Sequence, residues 1–354
     1  MRKLLIVLIT LFILATVFAG LKVALLINGT LGDKSFFDSA ACGLRMAIED
    51  LGVEGTIIEM GYDQSAWRPT VEDMADQDYD VIIVGTWQMK EILEELAPMY
   101  PEKKFIIFDT AVDYSLGGLD NVYSILYKQN EGSFLVGALA ALITTSNMPK
   151  TNPLPIIGFL GGMDIPVIND FLVGYIQGAK YINPDIKIII SYAGSFNDPA
   201  KGKELVLAQY RQGADISFNV AGQTGIGLLE AAKEMDKWAI GVDSDQALIV
   251  EDKDPEMAWH IVTSMLKNVD LSIYRALKLT IEGKCPYGRA EALGIAEKGV
   301  GMADNKYYRK LVPEEFRNKI KEIEKLILEG KIKVDTAFGM PREVLDQLRN
   351  SVKP

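Results

Sequence analysis

What most restricts this chain is a rhythm. Apolar runs of four to seven residues, each stopping at a glycine or an acidic residue, alternate with segments of helical periodicity. KVALLIN (22–28) stops at Gly29, VIIV (81–84) at Gly85 and FIIF (105–108) at Asp109. The runs at 156–160, 216–220 and 238–242 stop at Gly161-Gly162, Ala221-Gly222 and Asp243. Short unbroken apolar runs read as strands buried on both faces, hence parallel pairing with helices on either side. Helical periodicity fills 35–51, 70–77 and 90–100, then restarts at 129–144, 166–181, 200–212 and 225–235. The result is a βα series that runs, breaks at a proline-bearing loop (146–155), and runs again. A chain of 354 residues suits two such domains. Residues 257–281 read as a strand-like start passing into a long amphipathic helix, which places Lys267 one turn into that helix. Residues 313–330 read as a charged surface helix.

Charge and composition narrow the function. There are 37 basic and 48 acidic residues, a net charge of −11. No broad basic face exists to meet a phosphate backbone, so no nucleic-acid partner is expected. A single histidine (His260) and two cysteines (Cys42, Cys285) leave little for a zinc site or for Ser-His-Asp or Cys-His catalysis. His260 is expected to pack or hydrogen-bond within a strand, and the cysteines to stay unpaired. No metal, cofactor or catalytic residue is expected.

The first 19 residues read as a secretory signal peptide. Arg2 and Lys3 precede an apolar run from Leu4 to Phe18, and Val17-Phe18-Ala19 offers small residues before Gly20. The run is short for a membrane span; the competing reading is an uncleaved anchor. No cysteine follows it, so a lipid-attachment site is absent. Cleavage would move the net charge to −13. The mature chain is therefore expected in a periplasmic or other extracytoplasmic space.

In open α/β sheets ligands bind beyond the carboxyl ends of strands, so the residues there carry the functional reading. They include Asn28-Gly29 leading to Asp33-Lys34-Ser35-Phe36, Gly85-Thr86-Trp87, Asp109-Thr110, Gly222-Gln223-Thr224-Gly225 and Asp243-Ser244-Asp245. Carboxylates accept hydrogen bonds from hydroxyls; Phe36, Trp87 and Phe196 can stack on a flat ring. Aspartates with aromatics and no basic cluster favour a neutral hydroxylated or heteroaromatic ligand over a phosphate. Each residue also has a structural alternative: Asp109 as a helix cap, Phe36 as core, Gly161-Gly162 as a turn, Lys267 as a solvated lysine. No G-x-G-x-x-G follows the first strand, and Gly222–Gly225 is not a phosphate-binding loop.

These same strand ends carry a family resemblance. GDKSFFDSAACGLRMA (32–47), KFIIFDTAVD (104–113), EGSFLVGALAALIT (131–144), the AGQTG loop (221–225), GVDSDQ (241–246), TSMLKNVDLSIYRALK (263–278) and GIAEKGVGMAD (294–304) follow in order. The chain resembles the Bmp family of substrate-binding proteins, which includes purine nucleoside receptors of ABC importers. The resemblance implies a type I periplasmic-binding-protein fold: two Rossmann-like lobes joined by a three-stranded hinge, with ligand in the cleft. It gives lobe 1 as residues 20–126 with about 247–285, and lobe 2 as 127–246 with about 286–354. It also implies that Phe36 stacks on the base, that Phe196 supports its other face, and that Asp109, Gly222, Asp243 and Lys267 hold the ribose. Asp33, Ser35, Phe37 and Trp87 complete the expected ligand-binding set. The implied partners are a nucleoside of the adenosine, guanosine or inosine class and an ABC permease, with the receptor a monomer. One departure stands out: relatives read Ser-Phe-Asn where this chain has Ser35-Phe36-Phe37, so an amide that could meet the base is missing. The alternatives are a receptor for a sugar or other small metabolite on the same fold, and a nucleoside hydrolase.

Overall fold

The computed structural model describes residues 20–354; the expected signal peptide lies outside them. The first part of the chain runs β1 (Lys22–Ile27), α1 (Phe36–Leu51), β2 (Glu54–Glu59), α2 (Trp67–Asp76), β3 (Val81–Gly85), α3 (Lys90–Leu96), β4 (Lys104–Phe108) and β5 (Val122–Tyr127). The second series follows: α4 (Gln129–Thr144), β6 (Ile156–Gly161), α5 (Pro166–Ile182), β7 (Lys187–Tyr192), α6 (Pro199–Arg211), β8 (Ile216–Val220), α7 (Ile226–Glu234) and β9 (Trp238–Asp243). It continues through α8 (Gln246–Glu251), α9 (Pro255–Ala258), β10 (Ile261–Lys267) and α10 (Val269–Ile281). Last come β11 (Arg289–Leu293), β12 (Val300–Met302), α11 (Lys306–Leu311), α12 (Glu314–Leu328) and α13 (Arg342–Ser351).

The strands form two six-stranded sheets of matching topology. The first has the order β11-β5-β4-β3-β1-β2 and is parallel throughout. The second has the order β12-β10-β9-β8-β6-β7, parallel except for β12, which runs against β10. In each sheet the order reverses beside the first strand of the series, between β1 and β3 and between β6 and β8. Those two reversals are the points where a crevice opens at the carboxyl ends of the strands. The strands that read as unbroken apolar runs are buried end to end, as β3 and β9 show.

The chain passes between the sheets three times: after β5, between β10 and α10, and between β11 and β12. The passages are bonded to one another. Lys128 N donates to Leu293 O at 3.0 Å, and Asn268 N to Gly299 O at 2.9 Å. The lobe boundaries differ here from the sequence expectation. β10, expected in lobe 1, pairs with β9 in the second sheet, while β11, expected in lobe 2, pairs with β5 in the first. The second βα series simply runs one unit further before crossing, because β10 is the next parallel neighbour of β9. Lys267 correspondingly ends a strand instead of lying in a helix. Helix α10 then returns to pack on α1.

Helix α1 starts where Asp33 gathers backbone amides and stops at Gly52, whose φ of 70° is the left-handed cap geometry. Helices α4 and α5 pack almost backbone to backbone. A Cβ at Gly174 or Gly178 would strike the carbonyls of Asn130 and Phe134, so the small residues read from the sequence are required there. His260 is buried just before β10, its Nδ1 2.9 Å from Lys237 O and 3.0 Å from Lys150 Nζ. Cys42 and Cys285 are both free.

Candidate ligand-binding cleft

The carboxyl ends of both sheets face one cavity of about 310 Å³, within the range of small-molecule sites. Lobe 1 lines it with residues following β1, β2, β3 and β4; lobe 2 with residues at or after the ends of β6, β7, β8, β9 and β10. Nine of the ten expected site residues line it: Asp33, Phe36, Phe37, Trp87, Asp109, Phe196, Gly222, Asp243 and Lys267. Ser35 does not. It is fully buried, and its Oγ donates to Asp243 Oδ2 at 2.5 Å, so it positions that carboxylate.

The backbone turns sharply where the strands end. Thr86, Asp109 and Asp243 have φ of 72°, 67° and 62°, in the left-handed region that few side chains adopt without cost, and Gly222 has 55°. Aspartate tolerates that region better than most residues. Four strand ends thus share a positive φ, which costs Gly222 nothing and gives Thr86, Asp109 and Asp243 backbone strain of the kind that collects at binding sites. It carries Asp109 and Asp243 out of their strands at the cavity wall.

Charge in the cavity is compact. Lys267 Nζ donates to Asp109 Oδ1 at 2.5 Å, and the two side chains are only 3% and 11% exposed. The ammonium also lies 4.8 Å from the Phe171 ring centroid, 5.3 Å from that of Phe36 and 5.5 Å from that of Tyr127, a cation–π surround. Burial pushes the Asp109 carboxyl up, opposed by Lys267. Burial likewise pushes Asp243 up to about 6, against the pull of Lys267 and the Ser35 hydroxyl, with Asp109 adding to the rise. Asp33 is pushed up to about 6 by burial despite three backbone donors. Its Oδ1 accepts from Ser35 N (3.0 Å) and Asp38 N (3.1 Å), and its Oδ2 from Phe37 N (2.8 Å). Both oxygens are therefore engaged in starting α1, and its place at the cavity follows from that.

The aromatics are braced from behind. Phe36 packs 5.4 Å from Phe108 and 5.3 Å from Phe37, centroid to centroid. Phe37 lies against Gly29, and Phe196 against Gly162, so tightly that a Cβ at either glycine would strike the ring. Gly162 is thus more than a turn. Trp87 stands half exposed at the rim. The sequence reading missed the apolar wall formed by Met163, Ile165, Val167, Ile168 and Phe171, at and before the start of α5. Its signal was the apolar stretch directly after the Gly161-Gly162 strand end. It also gave no role to the amides of Asn28 and Gln88, which line the opposite side. Among the described residues, no three His, Cys, Asp or Glu side chains are gathered as a metal centre requires.

The family model for ABC transporter substrate-binding proteins of the PnrA-like kind matches residues 21–336. The chain belongs to the Bmp family. Its members are substrate-binding components of ABC transporters, and this chain is one. Basic membrane protein A of Borreliella burgdorferi is 32% identical over 319 residues, covering 88% of this chain and 86% of that protein. The ABC transporter nucleoside-binding protein BmpA of Lactococcus lactis is 31% identical over 321 residues, covering 87% and 86%. A solved ABC transporter solute-binding protein from Aeropyrum pernix superposes with a TM-score of 0.81 at 28% identity, covering 94% of this chain and 98% of that one. The fold is that of the type I periplasmic binding proteins. No helix among the described residues is long and apolar enough to cross a membrane.

Proposed function

We propose that this Bmp-family protein is an extracytoplasmic receptor that captures a nucleoside, of the purine class, between its lobes and delivers it to an ABC permease. The observation that carries the reading is the composition of one cavity. Aromatic rings from both lobes (Phe36, Phe196) share it with a buried Asp109–Lys267 pair and with Asp243. Rings suit a flat base. Two carboxylates and one ammonium suit vicinal hydroxyls, which both donate and accept, and the opposite charges limit the cost of burying each. The nucleoside-binding relative from Lactococcus lactis supports the same class. In this reading Asp109, Gly222, Asp243 and Lys267 hold the ribose, Phe36 and Phe196 enclose the base, and Trp87 guards the rim. Neither lobe holds the whole set, so the ligand draws them together by hinge closure. The leader peptide exports the protein, which works as a monomer and performs no chemistry on its ligand.

The test is thermal unfolding of the chain from residue 20 onward, stripped of ligand by unfolding and refolding, against nucleosides, free bases and pentoses. A ligand that binds only the native state raises the midpoint by mass action. A rise with adenosine, guanosine or inosine, absent with ribose and free bases, is expected. A rise with pentoses alone would overturn the nucleoside reading in favour of a sugar receptor. Conversion of a nucleoside to base and ribose would overturn the receptor reading itself.

A further inference from the structure

The Asn28 carboxamide lines the cavity at the end of β1, beside the point where the strand order reverses. It is 4% exposed. Its Nδ2 donates to Thr86 Oγ1 at 2.8 Å and lies 3.5 Å from Gln88 Oε1. The Thr86 hydroxyl, having accepted that bond, donates its own proton to Gln88 Oε1 at 3.4 Å. In this arrangement the nitrogen of Asn28 faces Thr86, and the relay ends on the Gln88 oxygen. Asn28 Oδ1 is left buried with no partner. Buried acceptors are almost always satisfied, so one left unpaired in the wall of a cavity calls for a donor from outside the fold.

We infer that Asn28 Oδ1 accepts a hydrogen bond from an N–H on the base edge of the bound nucleoside, with Thr86 and Gln88 as positioning residues. This rests on the nucleoside reading above and deepens it. Gln88, which also lines the cavity, uses its oxygen in the relay, so its Nε2 is the group that can donate. An acceptor and a donor presented side by side match an edge carrying a donor next to an acceptor. A 6-aminopurine has that pair in its amino group and ring nitrogen; a 6-oxopurine has it in its ring N–H and carbonyl. Carboxamide side chains are the groups that read such pairs in two-point contacts. The sequence departure at position 37 fits this placement. Phe37 packs against Gly29, the residue after Asn28, so an aromatic surface occupies the place of the missing asparagine. The amide function is supplied instead from the end of the neighbouring strand.

The experiment is calorimetric titration of the ligand-stripped chain with adenosine, inosine, purine riboside and ribose. Purine riboside keeps the ribose, the ring to be stacked and the ring acceptors, but carries no N–H on its six-membered edge. Leaving Asn28 Oδ1 unmatched should weaken purine riboside at least about tenfold relative to the better of adenosine and inosine. In Asn28→Ala that nucleoside should lose about the same factor while purine riboside changes less than about threefold, so the ratio falls toward one. Equal binding of all three nucleosides by the unaltered chain overturns the assignment. So does an undiminished ratio in Asn28→Ala. Should that variant fail to fold, the ratio in the unaltered chain decides alone. Absence of binding by every nucleoside overturns the nucleoside reading, and this assignment with it, which separates the two failures.

Discussion

Replacing Lys267 by methionine removes the one ammonium among three cavity carboxylates, and the structure says what that costs. Lys267 Nζ sits 2.5 Å from Asp109 Oδ1 with both side chains nearly sealed from water, and it also lowers the proton affinity of Asp243. Methionine fills much of the same space between the Phe36, Tyr127 and Phe171 rings, so packing changes little. What remains at its place is Asp109 and Asp243, both buried and with no cation between them. Breaking a buried pair from one side costs about 3–5 kcal/mol. Asp109→Asn should cost less, about 1–2 kcal/mol. Its amide oxygen can still accept from Lys267, the ammonium keeps Asp243 nearby, and asparagine tolerates the left-handed φ of 67° at this position. The double variant should lose at least about 1 kcal/mol less than the sum of the single losses, because the two groups act on each other. The assay is urea unfolding of the ligand-free chain, comparing midpoints at constant slope. Additive losses, or an Asp109→Asn variant as damaged as Lys267→Met, would refute the argument that the pair is one buried electrostatic unit.

Phe36→Ala should weaken nucleoside binding by about 1–3 kcal/mol, the scale for loss of a base-stacking ring; calorimetric titration that finds unchanged affinity would remove Phe36 from the base site. Asp243→Ala should weaken nucleosides far more than free bases, and equal losses would remove it from the ribose site. Asp243→Asn gives the pH dependence. Burial raises this carboxyl from 3.8 to about 6 in the fold, so the native state holds the proton more tightly than the unfolded one. Stability from this group is therefore gained as pH falls from 7 to 4, about 2–3 kcal/mol relative to Asp243→Asn, measured by urea unfolding at the two pH values. Gly162→Ala should push the Phe196 ring off its backing and lower nucleoside affinity, while the thermal midpoint of the ligand-free protein moves little; the calorimetric constant and the midpoint together check it.

The parts of this fold legible in the sequence are those fixed by near neighbours along the chain. Strands buried on both faces announce themselves as runs such as VIIV and FIIF, and their ends as the glycine or aspartate that must turn the backbone. Elements without that signal were hidden. β11 reads Arg-Ala-Glu-Ala-Leu, a half-exposed edge strand with two charges, and β12 is three residues long. Neither has an apolar run, and sheet membership is decided by partners far away in sequence: β11 pairs with a strand some 166 residues earlier, as Arg289 opposite Tyr123 shows. The lobe assignment of β10 failed differently: its partner β9 lies only 22 residues back, as Ile261 opposite Ala239 shows, and the chain crosses one unit later than expected. The cavity lining was legible where chemistry and position coincide, as at Asp109, Asp243 and Phe36. Asn28 was not, because an asparagine after a strand is ordinary; only its unpaired oxygen, a property of the assembled fold, sets it apart.

On the proposed reading, the division of the cleft gives a physical reason for such a receptor to close on its ligand. Lobe 1 supplies Asn28, Phe36, Phe37 and Asp109; lobe 2 supplies Phe196, Gly222, Asp243 and Lys267 from the ends of its own strands. A ligand shifts a conformational equilibrium only by its difference in affinity for the two states. One that fills a set split between lobes has that difference built in, since an opened cleft offers it half the contacts. Direct lobe-to-lobe bonds work toward the same state. Ser35 Oγ to Asp243 at 2.5 Å, Ser244 Oγ to Ser35 O at 3.2 Å and Gln246 Nε2 to Lys34 O at 3.1 Å tie the start of α1 to the end of β9. Asp243 belongs to both systems. Its Oδ2 holds the Ser35 hydroxyl across the lobes, and its carboxyl lines the cavity. On the proposed reading, the ribose therefore meets an acceptor whose position is set by closure, so closure and occupancy favour each other.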